Sequence, residues 1–287
     1  MSIGEDLVPV EDQTRVVLLG TGTPNANPAR SGPAVAVVVD DTAYVVDAGA
    51  GVVRRAAAAW QMGVHGLAVD RLRHLFLTHL HSDHTIGLPD LIFTPWEMGR
   101  REPLVVYGPR GTDRMTKHVL AAYEEDIRER LEGLEPAHAE GYRVNATEID
   151  PGAVYEDDGV KVVAFAVDHG TWPAFGYRFE TEDRTIVISG DTASAERNLD
   201  AYRGCDVLCH EVQSDAGLVR RSPPWSRYHA AYHTTASELA AVASEVEPGL
   251  LVLYHQLFHG VSEEELLAEV CQGYTGEVVS GRDLDIY

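Results

Sequence analysis

The segment HLHSDH (79–84) places three imidazoles and one carboxylate within six positions. It follows the apolar run LRHLFLT (72–78), which is typical of a strand, and precedes TIGLPDLIF (85–93), which is typical of a helix. Side chains two positions apart in extended backbone point to the same side, so His79 and His81 can share one ion. The aspartate and the last histidine follow at the turn, where the chain can direct them to an adjacent ion. Imidazole nitrogen and carboxylate oxygen are ligands that zinc accepts.

The sequence around this segment alternates short β-rich runs with helical patterns. Strands are predicted at 15–20, 34–40, 43–49, 72–78, 103–109, 206–212 and 250–255, and they dominate the stretch 142–191. Helices are predicted at 52–63, 111–134, 234–246 and 262–270, and a Pro-, Ser- and Arg-rich loop at 213–232. Two halves, each with strands followed by helices, indicate an α/β fold with helices outside two packed sheets. Because no low-complexity linker separates the halves, residues 1–287 are predicted to form a single domain.

The charge balance is unusually acidic. Asp and Glu number 45 against 23 Lys and Arg, which gives a formal net charge of −22, and Lys117 and Lys161 are the only lysines. Such a surface repels nucleic acid and anionic membranes at low salt. A salt-rich cytoplasm would screen this self-repulsion, because the Debye length falls to about 3 Å at 1 M salt. A GC-rich genome would also explain the scarcity of lysine, although not the excess of acid.

Targeting and redox signals are sparse. The acidic start MSIGEDLVPVEDQ (1–13) lacks the basic-then-apolar order of a signal peptide, and no run approaches the roughly 20 apolar residues that span a bilayer. We therefore expect a cytoplasmic protein that does not bind membranes. Three cysteines are few, and their odd number argues against a disulfide framework. Cys205 and Cys209, which flank an apolar run, are therefore predicted to be buried thiols.

HLHSDH resembles the HxHxDH signature of the metallo-β-lactamase superfamily, and matches to this family continue downstream in the same order. Asp47 in VVDAG matches the aspartate that orients the site, and His169 in VDHG matches the next metal histidine. Asp191 in SGDT matches the aspartate that bridges both metals, and His255 in LVLYHQ matches the final histidine. The resemblance covers nearly the whole chain and implies a four-layer αββα sandwich with the site at one edge, between the sheets.

The resemblance also implies a ligand set for two divalent ions. One ion would be held by His79, His81 and His169, the other by Asp83, His84 and His255, with Asp191 between them and a shared hydroxide as nucleophile. The ligand types suit zinc, and they are also compatible with manganese or iron. After subtraction of two carboxylates and a hydroxide, the site keeps about one positive charge, which favours a substrate whose reacting group is or becomes anionic.

Three further motifs resemble the ribonuclease Z branch: SGDT, then His-Glu at 210–211, then HTT at 233–235. This resemblance implies that His233 protonates the leaving oxygen, that Glu211 orients His233, and that Asp83 acts in catalysis as well as binding metal. An imidazole with a pKa near 6.5 suits proton donation. The alternative interpretation makes His233 a neighbour of a helix N-cap and Glu211 a solvated strand end.

Two features depart from ribonuclease Z. Proteins of that branch commonly carry a long arm that grips tRNA, but the stretch from Phe175 to Thr192 is continuous here, and no lysine-rich patch exists. The leading prediction is therefore a phosphodiesterase- or arylsulfatase-like hydrolase of small anionic phosphate or sulfate esters. A tRNA 3′-processing endonuclease is one alternative, with nucleic acid disfavoured as a partner. A lactone or thioester hydrolase, or a hydrolytic dehalogenase, is another. The sequence leaves open whether the chain forms a homodimer.

Specificity is expected to come from loops that combine tryptophan with arginine. TPWEMGRRE (94–102) and the segment 214–232 are candidates, and NPARSGPA (27–34) would supply another loop near the site. An anionic group could meet arginines and an aromatic leaving group could meet tryptophans, the candidates being Arg220, Arg221, Arg227, Trp96 and Trp225. The alternative is that these arginines lie on an ordinary surface and that the tryptophans are packed in the core.

Overall fold

A computed structural model describes residues 14–193 and 195–287 of the chain. The expectation that no signal peptide is present concerns residues 1–13 and lies outside the described residues. Among the residues described, no helix is both long and apolar enough to cross a membrane.

Two mixed sheets form the centre of the fold. The strands of the first sheet, in spatial order, are β1 (Arg15–Gly20), β2 (Ala34–Val39), β3 (Thr42–Val46), β4 (His74–Phe76), β5 (Leu104–Gly108) and β6 (Val144–Glu148). The second sheet runs in the reverse order of the chain and contains β7 (Gly152–Glu156), β8 (Lys161–Ala166), β9 (Phe175–Glu180), β10 (Thr185–Ile188), β11 (Val207–Gln213), β12 (Leu250–Leu257) and β13 (Val278–Ser280). Strands β3 to β6 are parallel neighbours, as are β10 to β13.

Helices cover the outer face of each sheet. They are α1 (Val52–Gln61), α2 (Ser82–Thr85), α3 (Leu88–Glu97), α4 (Thr112–Ala122), α5 (Glu124–Glu132), α6 (Leu199–Tyr202), α7 (Asp215–Leu218), α8 (Pro223–Tyr232), α9 (Ala236–Val246) and α10 (Glu263–Gly273). Short 3₁₀ turns lie at His65–Leu67, Val69–Arg71 and Ala195–Asn198. Capping boxes begin α9 at Thr235 and α10 at Ser262, as the Thr-x-x-Glu and Ser-x-x-Glu sequences favour.

Three separate apolar clusters fill the spaces between four layers. In β1, Val17 and Leu19 face α1 and α3, whereas Val16 and Leu18 face the second sheet. The third cluster lies between the second sheet and the helices α9 and α10. A continuous apolar run, whose side chains point alternately to the two faces, is what a strand covered on both faces requires. The predicted αββα sandwich is therefore confirmed.

Several predicted elements are confirmed and two are wrong. The helix predicted at 111–134 breaks at Tyr123, because Glu124, Glu125 and Asp126 stabilise a new N-terminus there through the helix dipole. The loop predicted at 213–232 contains α7 and α8, which begin at an N-cap serine and at a proline pair, respectively. Strand β13 was not predicted. Cys205 and Cys209 are buried and unbonded, as expected.

The C-terminal residues pair with the first strand. The backbone N–H of Val16 donates to the carbonyl of Tyr287 at 2.9 Å, and that of Leu18 donates to the carbonyl of Asp285 at 3.0 Å. These contacts are compatible with one domain over 1–287, which stays a prediction.

Candidate metal centre and active site

The carboxyl ends of parallel strands from both sheets meet at one edge of the sandwich. Asp47 follows β3, and HLHSDH follows β4 and runs into α2. From the second sheet, Asp191 follows β10, while Glu211 and His255 lie near the ends of β11 and β12. Ligands in α/β folds bind outside the carboxyl ends of strands, because loops and helix N-termini converge there.

Three imidazoles converge at the exit of β4. His79 Nε2 lies 3.0 Å from His81 Nδ1, and His169 Nε2 lies 3.1 Å from the same nitrogen. His79 and His169 are buried, and His81 is half-buried. Three nitrogens this close, with no carboxylate among them, are what one ion bound at about 2.0–2.1 Å would bring together.

Hydrogen bonds behind these rings fix which nitrogen faces the site. The Thr78 hydroxyl lies 2.8 Å from Asp47 Oδ2 and 2.9 Å from His79 Nδ1. Because a carboxylate only accepts, the hydroxyl donates to Asp47 and accepts from His79 Nδ1, which leaves the Nε2 lone pair free. His169 Nδ1 lies 2.9 Å from the Tyr232 carbonyl, so its Nε2 is free for the same reason.

A second group of ligand atoms lies beside the first. His84 Nε2 is 3.5 Å from Asp83 Oδ2 and 3.4 Å from Asp191 Oδ2, and His255 Nε2 is 3.4 Å from Asp83 Oδ2. Asp191 Oδ1 lies 3.5 Å from His255 Nδ1. Its carboxylate also lies within 4.8 Å of the ligand atom of His79, so it is close to both groups. Asp47 Oδ2 accepts from His84 Nδ1 at 2.7 Å and thereby frees the Nε2 of His84.

Two of these residues adopt left-handed backbone. Asp47 has φ 62° and His255 has φ 43°. The β11–β12 register skips His255, since Glu211 pairs with Tyr254 and Val212 pairs with Gln256. A bulge re-aims the side chain of the extra residue, and here it directs His255 into the site. Strain of this kind in a residue with a β-carbon concentrates at functional sites.

The unpartnered atoms of the site fit bound cations. Among the described residues, buried polar atoms without a hydrogen-bond partner include His84 Nε2, Asp191 Oδ1 and His255 Nδ1. Four groups of three side chains could each hold an ion, and their ligand atoms lie within 4.8 Å of one another. All seven side chains named from the sequence as ligands occur in these groups. Buried groups of this kind are costly unless a partner satisfies them.

Burial and mutual charge shift the protonation of the site. Burial lowers the pKa of His169 to about 4 and, with the charge of His84, lowers that of His79 well below its usual value. Burial opposes protonation of His84 too, but Asp191 and Asp47 raise its pKa well above the ordinary value. Although burial acts in the opposite direction, His255 and His84 hold the pKa of Asp191 well below its usual range. Concentrated carboxylate charge of this sort attracts cations.

His233 and Glu211 lie next to each other, with His233 also close to Asp191. His233 Nδ1 lies 3.3 Å from Glu211 Oε2 and 3.9 Å from Asp191 Oδ2. Glu211 is fully buried and accepts from the backbone N–H of Thr234 at 2.8 Å, so the alternative of a solvated strand end is wrong. Burial and Asp191 raise the pKa of Glu211 well above its usual value, whereas burial lowers that of His233 to about 4.

A cavity of about 570 Å³ opens over these groups. Asp83, Asp191, His233 and His255 lie on its floor, and its walls come from the 22–30 loop, from α8 and from the segment after β12. The expected contribution of NPARSGPA (27–34) is present, since Asn27 and Arg30 line the cavity.

The arginines and tryptophans expected to determine specificity lie in three different environments. Arg221 and Trp225 line the cavity, while Arg220 and Arg227 are exposed and are not part of its lining. Trp96 is buried in α3 and donates its indole N–H to the His138 carbonyl at 2.8 Å, so this tryptophan packs in the core, whereas Glu97 and Met98 after it are exposed.

Four cavity-related residues were not identified from the sequence. Trp172 is 44% exposed and its ring centroid lies 4.7 Å from that of His81. Tyr228, His229 and His259 line the cavity wall. The only sequence signal for Trp172 is its position three residues after His169. The other three depend on how α8 and the end of β12 fold together.

Known proteins share both the sequence pattern and the fold. Residues 42–256 match the family described as Beta-lactamase superfamily domain. The chain is 37% identical over 248 residues to a Ribonuclease Z from Mycobacterium sp. (strain KMS), which covers 84% of each chain. The metallo-beta-lactamase fold protein YhfI from Bacillus subtilis superimposes with a TM-score of 0.73 at 17% identity, over 96% of this chain and 99% of that one. The short form of human tRNase Z (ELAC1) gives a TM-score of 0.67 at 23% identity, over 95% and 98%.

The fold, the convergent histidines and aspartates, and these relatives define a metal-dependent hydrolase that acts on ester bonds. The chain belongs to the metallo-β-lactamase superfamily, in its ribonuclease Z-like branch. The resemblance drawn from HLHSDH and the motifs downstream is thereby confirmed. The comparisons favour the tRNA-processing alternative over the leading prediction of a small-ester hydrolase.

Proposed function

We propose that this chain is an endonuclease of the ribonuclease Z type, which cleaves a phosphodiester bond at the 3′ side of precursor tRNA. The observation that carries the proposal is the 37% identity to a Ribonuclease Z over 84% of both chains. The site supports it, because its ligand groups can hold two cations side by side, and paired cations suit phosphoryl chemistry.

The proposed ligands are those expected from the sequence. His79, His81 and His169 would hold one ion, Asp83, His84 and His255 the other, and the Asp191 carboxylate would contact both. Zinc is the proposed metal, because imidazole and carboxylate predominate in this set. When bound, the ions would activate water and neutralise the phosphate.

The remaining steps belong to the side chains of the chain. As the water oxygen forms its bond to phosphorus, Asp83 is placed to accept the proton that the water loses. The bond from phosphorus to the ribose 3′-oxygen breaks, and the Nε2–H of His233 is placed to give its proton to that oxygen, while Nδ1 stays against Glu211. Glu211 is held by the Thr234 and Thr192 backbone N–H groups at 2.8 and 3.3 Å, so it orients the imidazole of His233. General acid catalysis of this kind typically contributes 10²–10⁴-fold.

Exposed aromatic rings in the cavity wall (Trp225 and Tyr228) and beside His81 (Trp172) give RNA a further means of binding. Trp172 is 44% exposed, Trp225 is 53% exposed and Tyr228 is 38% exposed. Single-stranded RNA is recognised by stacking its unpaired bases on such rings, at about 1–3 kcal/mol per base. A 3′ trailer is single-stranded, so these rings suit its recognition.

A small phosphodiester is the second candidate. Strands β9 and β10 are joined by residues 181–184 alone, which leaves no arm for gripping the body of a tRNA. The net charge of −22 also opposes a long RNA interface. A substrate that fits entirely within the cavity would avoid both difficulties.

One experiment separates the two candidates. Zinc-loaded protein would be given a precursor tRNA with a 3′ trailer and, in parallel, bis(p-nitrophenyl) phosphate, each at low and high salt. We expect a single cut that leaves a 3′-hydroxyl on the tRNA, and loss of that cut in His79→Ala. Turnover of the aryl diester with no tRNA cleavage at either salt would replace the proposal with the small-phosphodiester candidate.

A further inference from the structure

The cavity wall next to His233 carries cationic and polar groups that the proposed reaction does not use. Arg221, Trp225 and His229 lie along this wall, on α8 and the turn before it. The Arg221 guanidinium carbon lies 5.6 Å from the centroid of the Trp225 ring, and that ring stacks on His229 at 5.8 Å with an interplanar angle of 28°. Trp225 therefore contacts both the guanidinium and the imidazole.

Arg221 differs from the other arginine of the cavity. Arg30 is paired with Glu263 at 2.8 Å and donates also to Thr21 and to the Gly281 carbonyl. Across residues 14–193 and 195–287, no carboxylate lies within salt-bridge distance of Arg221. Among the described residues, the Arg221 guanidinium therefore lines the cavity without an acidic partner.

His229 is packed among other rings, but one of its ring nitrogens lacks a hydrogen-bond partner among the described residues. The residue is 8% exposed, and its enclosed Nδ1 has no hydrogen-bond partner among the described residues. Its ring lies 4.6 Å from that of His259 and 5.7 Å from that of His233, measured between centroids. With Nδ1 enclosed, Nε2 is the nitrogen that can face the cavity, and a neutral imidazole with an unprotonated Nδ1 carries a proton there.

A glutamine behind the wall fixes this arrangement. The Gln213 amide nitrogen donates to the His229 and His233 carbonyls at 3.1 and 2.8 Å, which sets the orientation of the amide. Its oxygen therefore accepts from His259 Nε2, at 3.3 Å. His259 lies in the turn after β12 and has a left-handed backbone conformation, with φ 52°. In this conformation its ring packs against that of His229.

We propose that Arg221 and His229, joined by Trp225, form a binding subsite for the phosphate that precedes the scissile phosphate in an RNA strand. The His229 ring lies 5.7 Å from the ring of His233, measured between centroids. Because His233 is proposed to protonate the leaving 3′-oxygen, the subsite is on the leaving-group side of the reaction. The nucleoside that bears this oxygen carries the preceding phosphate on its 5′-oxygen. A guanidinium binds phosphate in a planar, two-pronged manner, and the imidazole N–H adds a donor.

This inference rests on the proposed RNA substrate, and its test does not require RNA cleavage. Hydrolysis of bis(p-nitrophenyl) phosphate by zinc-loaded enzyme is the readout, and the dinucleotides UpU and pUpU are competing inhibitors. The two inhibitors differ only in the 5′-phosphate of the leaving nucleoside. We expect pUpU to inhibit about tenfold more strongly than UpU, because charge-assisted hydrogen bonds are the strong class.

Variants test which side chains cause the stronger inhibition by pUpU. Arg221→Gln and His229→Gln should each bring the ratio of the two inhibition constants close to one. Arg220→Gln removes the same charge one residue away, outside the cavity lining, and should leave both the ratio and aryl diester hydrolysis unchanged. Inorganic phosphate is a separate inhibitor whose constant should not depend on Arg221.

Two results would overturn the assignment. Equal inhibition by UpU and pUpU in the wild type would show that no such subsite exists. A change in the inorganic phosphate constant in Arg221→Gln, with the dinucleotide ratio unaltered, would show a site for free phosphate instead. Failure of the proposed function is seen separately, as absence of precursor tRNA cleavage.

Discussion

Replacement of Asp47 by asparagine should weaken metal binding through two histidines at once. The carboxylate accepts from the Thr78 backbone N–H at 2.8 Å, from the Thr78 hydroxyl at 2.8 Å and from His84 Nδ1 at 2.7 Å. Through the hydroxyl it also sets the tautomer of His79, whose Nδ1 is 2.9 Å from Thr78 Oγ1. Asp47 thus exposes the metal-binding nitrogen of two proposed ligands, one for each ion.

An asparagine cannot satisfy all of these donors. If its oxygen faces His84, its NH₂ group faces the Thr78 N–H, and a buried donor left unpaired costs about 1–3 kcal/mol. If the amide is flipped, His84 Nδ1 must accept, so the proton moves to Nε2 and blocks the metal. Loss of a partner that orients a ligand typically costs 10–100-fold in metal affinity. That range corresponds to about 1.4–2.7 kcal/mol.

The assay is a titration of metal-free protein in chelator-buffered free zinc, with bound metal measured by elemental analysis. Asp47→Asn should need about 10–100-fold more free zinc for half-occupancy than the wild type. Asp157→Asn is the matched control. That carboxylate also accepts several hydrogen bonds, from the Tyr44 and Tyr155 hydroxyls at 2.6 and 2.7 Å, but among the described residues none of its hydrogen bonds comes from a side chain of the site. Half-occupancy of Asp47→Asn at a free zinc concentration within about twofold of both the wild type and this control would refute the reasoning, since loss of an orienting partner costs at least about tenfold in affinity.

Three further predictions concern catalysis, stability and salt. His233→Ala should slow precursor tRNA cleavage by about 10²–10⁴-fold and bis(p-nitrophenyl) phosphate hydrolysis far less, because nitrophenolate leaves without a proton; equal losses would contradict the acid role. Arg100→Lys should lower the free energy of unfolding, measured in urea, by about 3 kcal/mol, because the buried guanidinium serves four carbonyls (Leu72, Leu91, Ile92 and Gly141) that an ammonium cannot reach together; an unchanged midpoint would contradict this. The KM for precursor tRNA should rise less than about tenfold between about 50 and 200 mM salt, because few phosphates are contacted, and a loss of about 10³-fold would indicate a long basic interface.

The ligands near HLHSDH were predictable because their geometry is local. Side chains in six consecutive positions at a strand end have few arrangements, and the pattern downstream supplied Asp47, His169, Asp191 and His255 as candidates. Their convergence depends on parallel strands of two different sheets that end at one edge. The bulge that turns His255 inward could not be predicted, because it depends on the register of β12 against β11.

The cavity wall was missed for a different reason. A Pro- and Arg-rich segment suggested a loop, yet Pro223 and Pro224 occupy the first turn of α8, where proline is favoured. His229 and His259 are 30 positions apart in sequence, and their contact follows from the packing of α8 on the turn after β12. No periodic pattern records a contact of that kind.

Net charge proved a weaker guide to function than the groups at the cavity. The value of −22 describes the whole surface, and at about 0.15 M salt charges more than roughly 8 Å apart are largely screened from one another. Arg221 and several of the proposed metal ligands line the same cavity, whereas many of the acidic side chains lie elsewhere on the sandwich. The acidity therefore opposes a broad RNA interface without opposing the binding of a short single-stranded end. A ribonuclease Z-like protein without an arm would need to rely on such local contacts, and stacking rings, a guanidinium and paired cations at one cavity provide them.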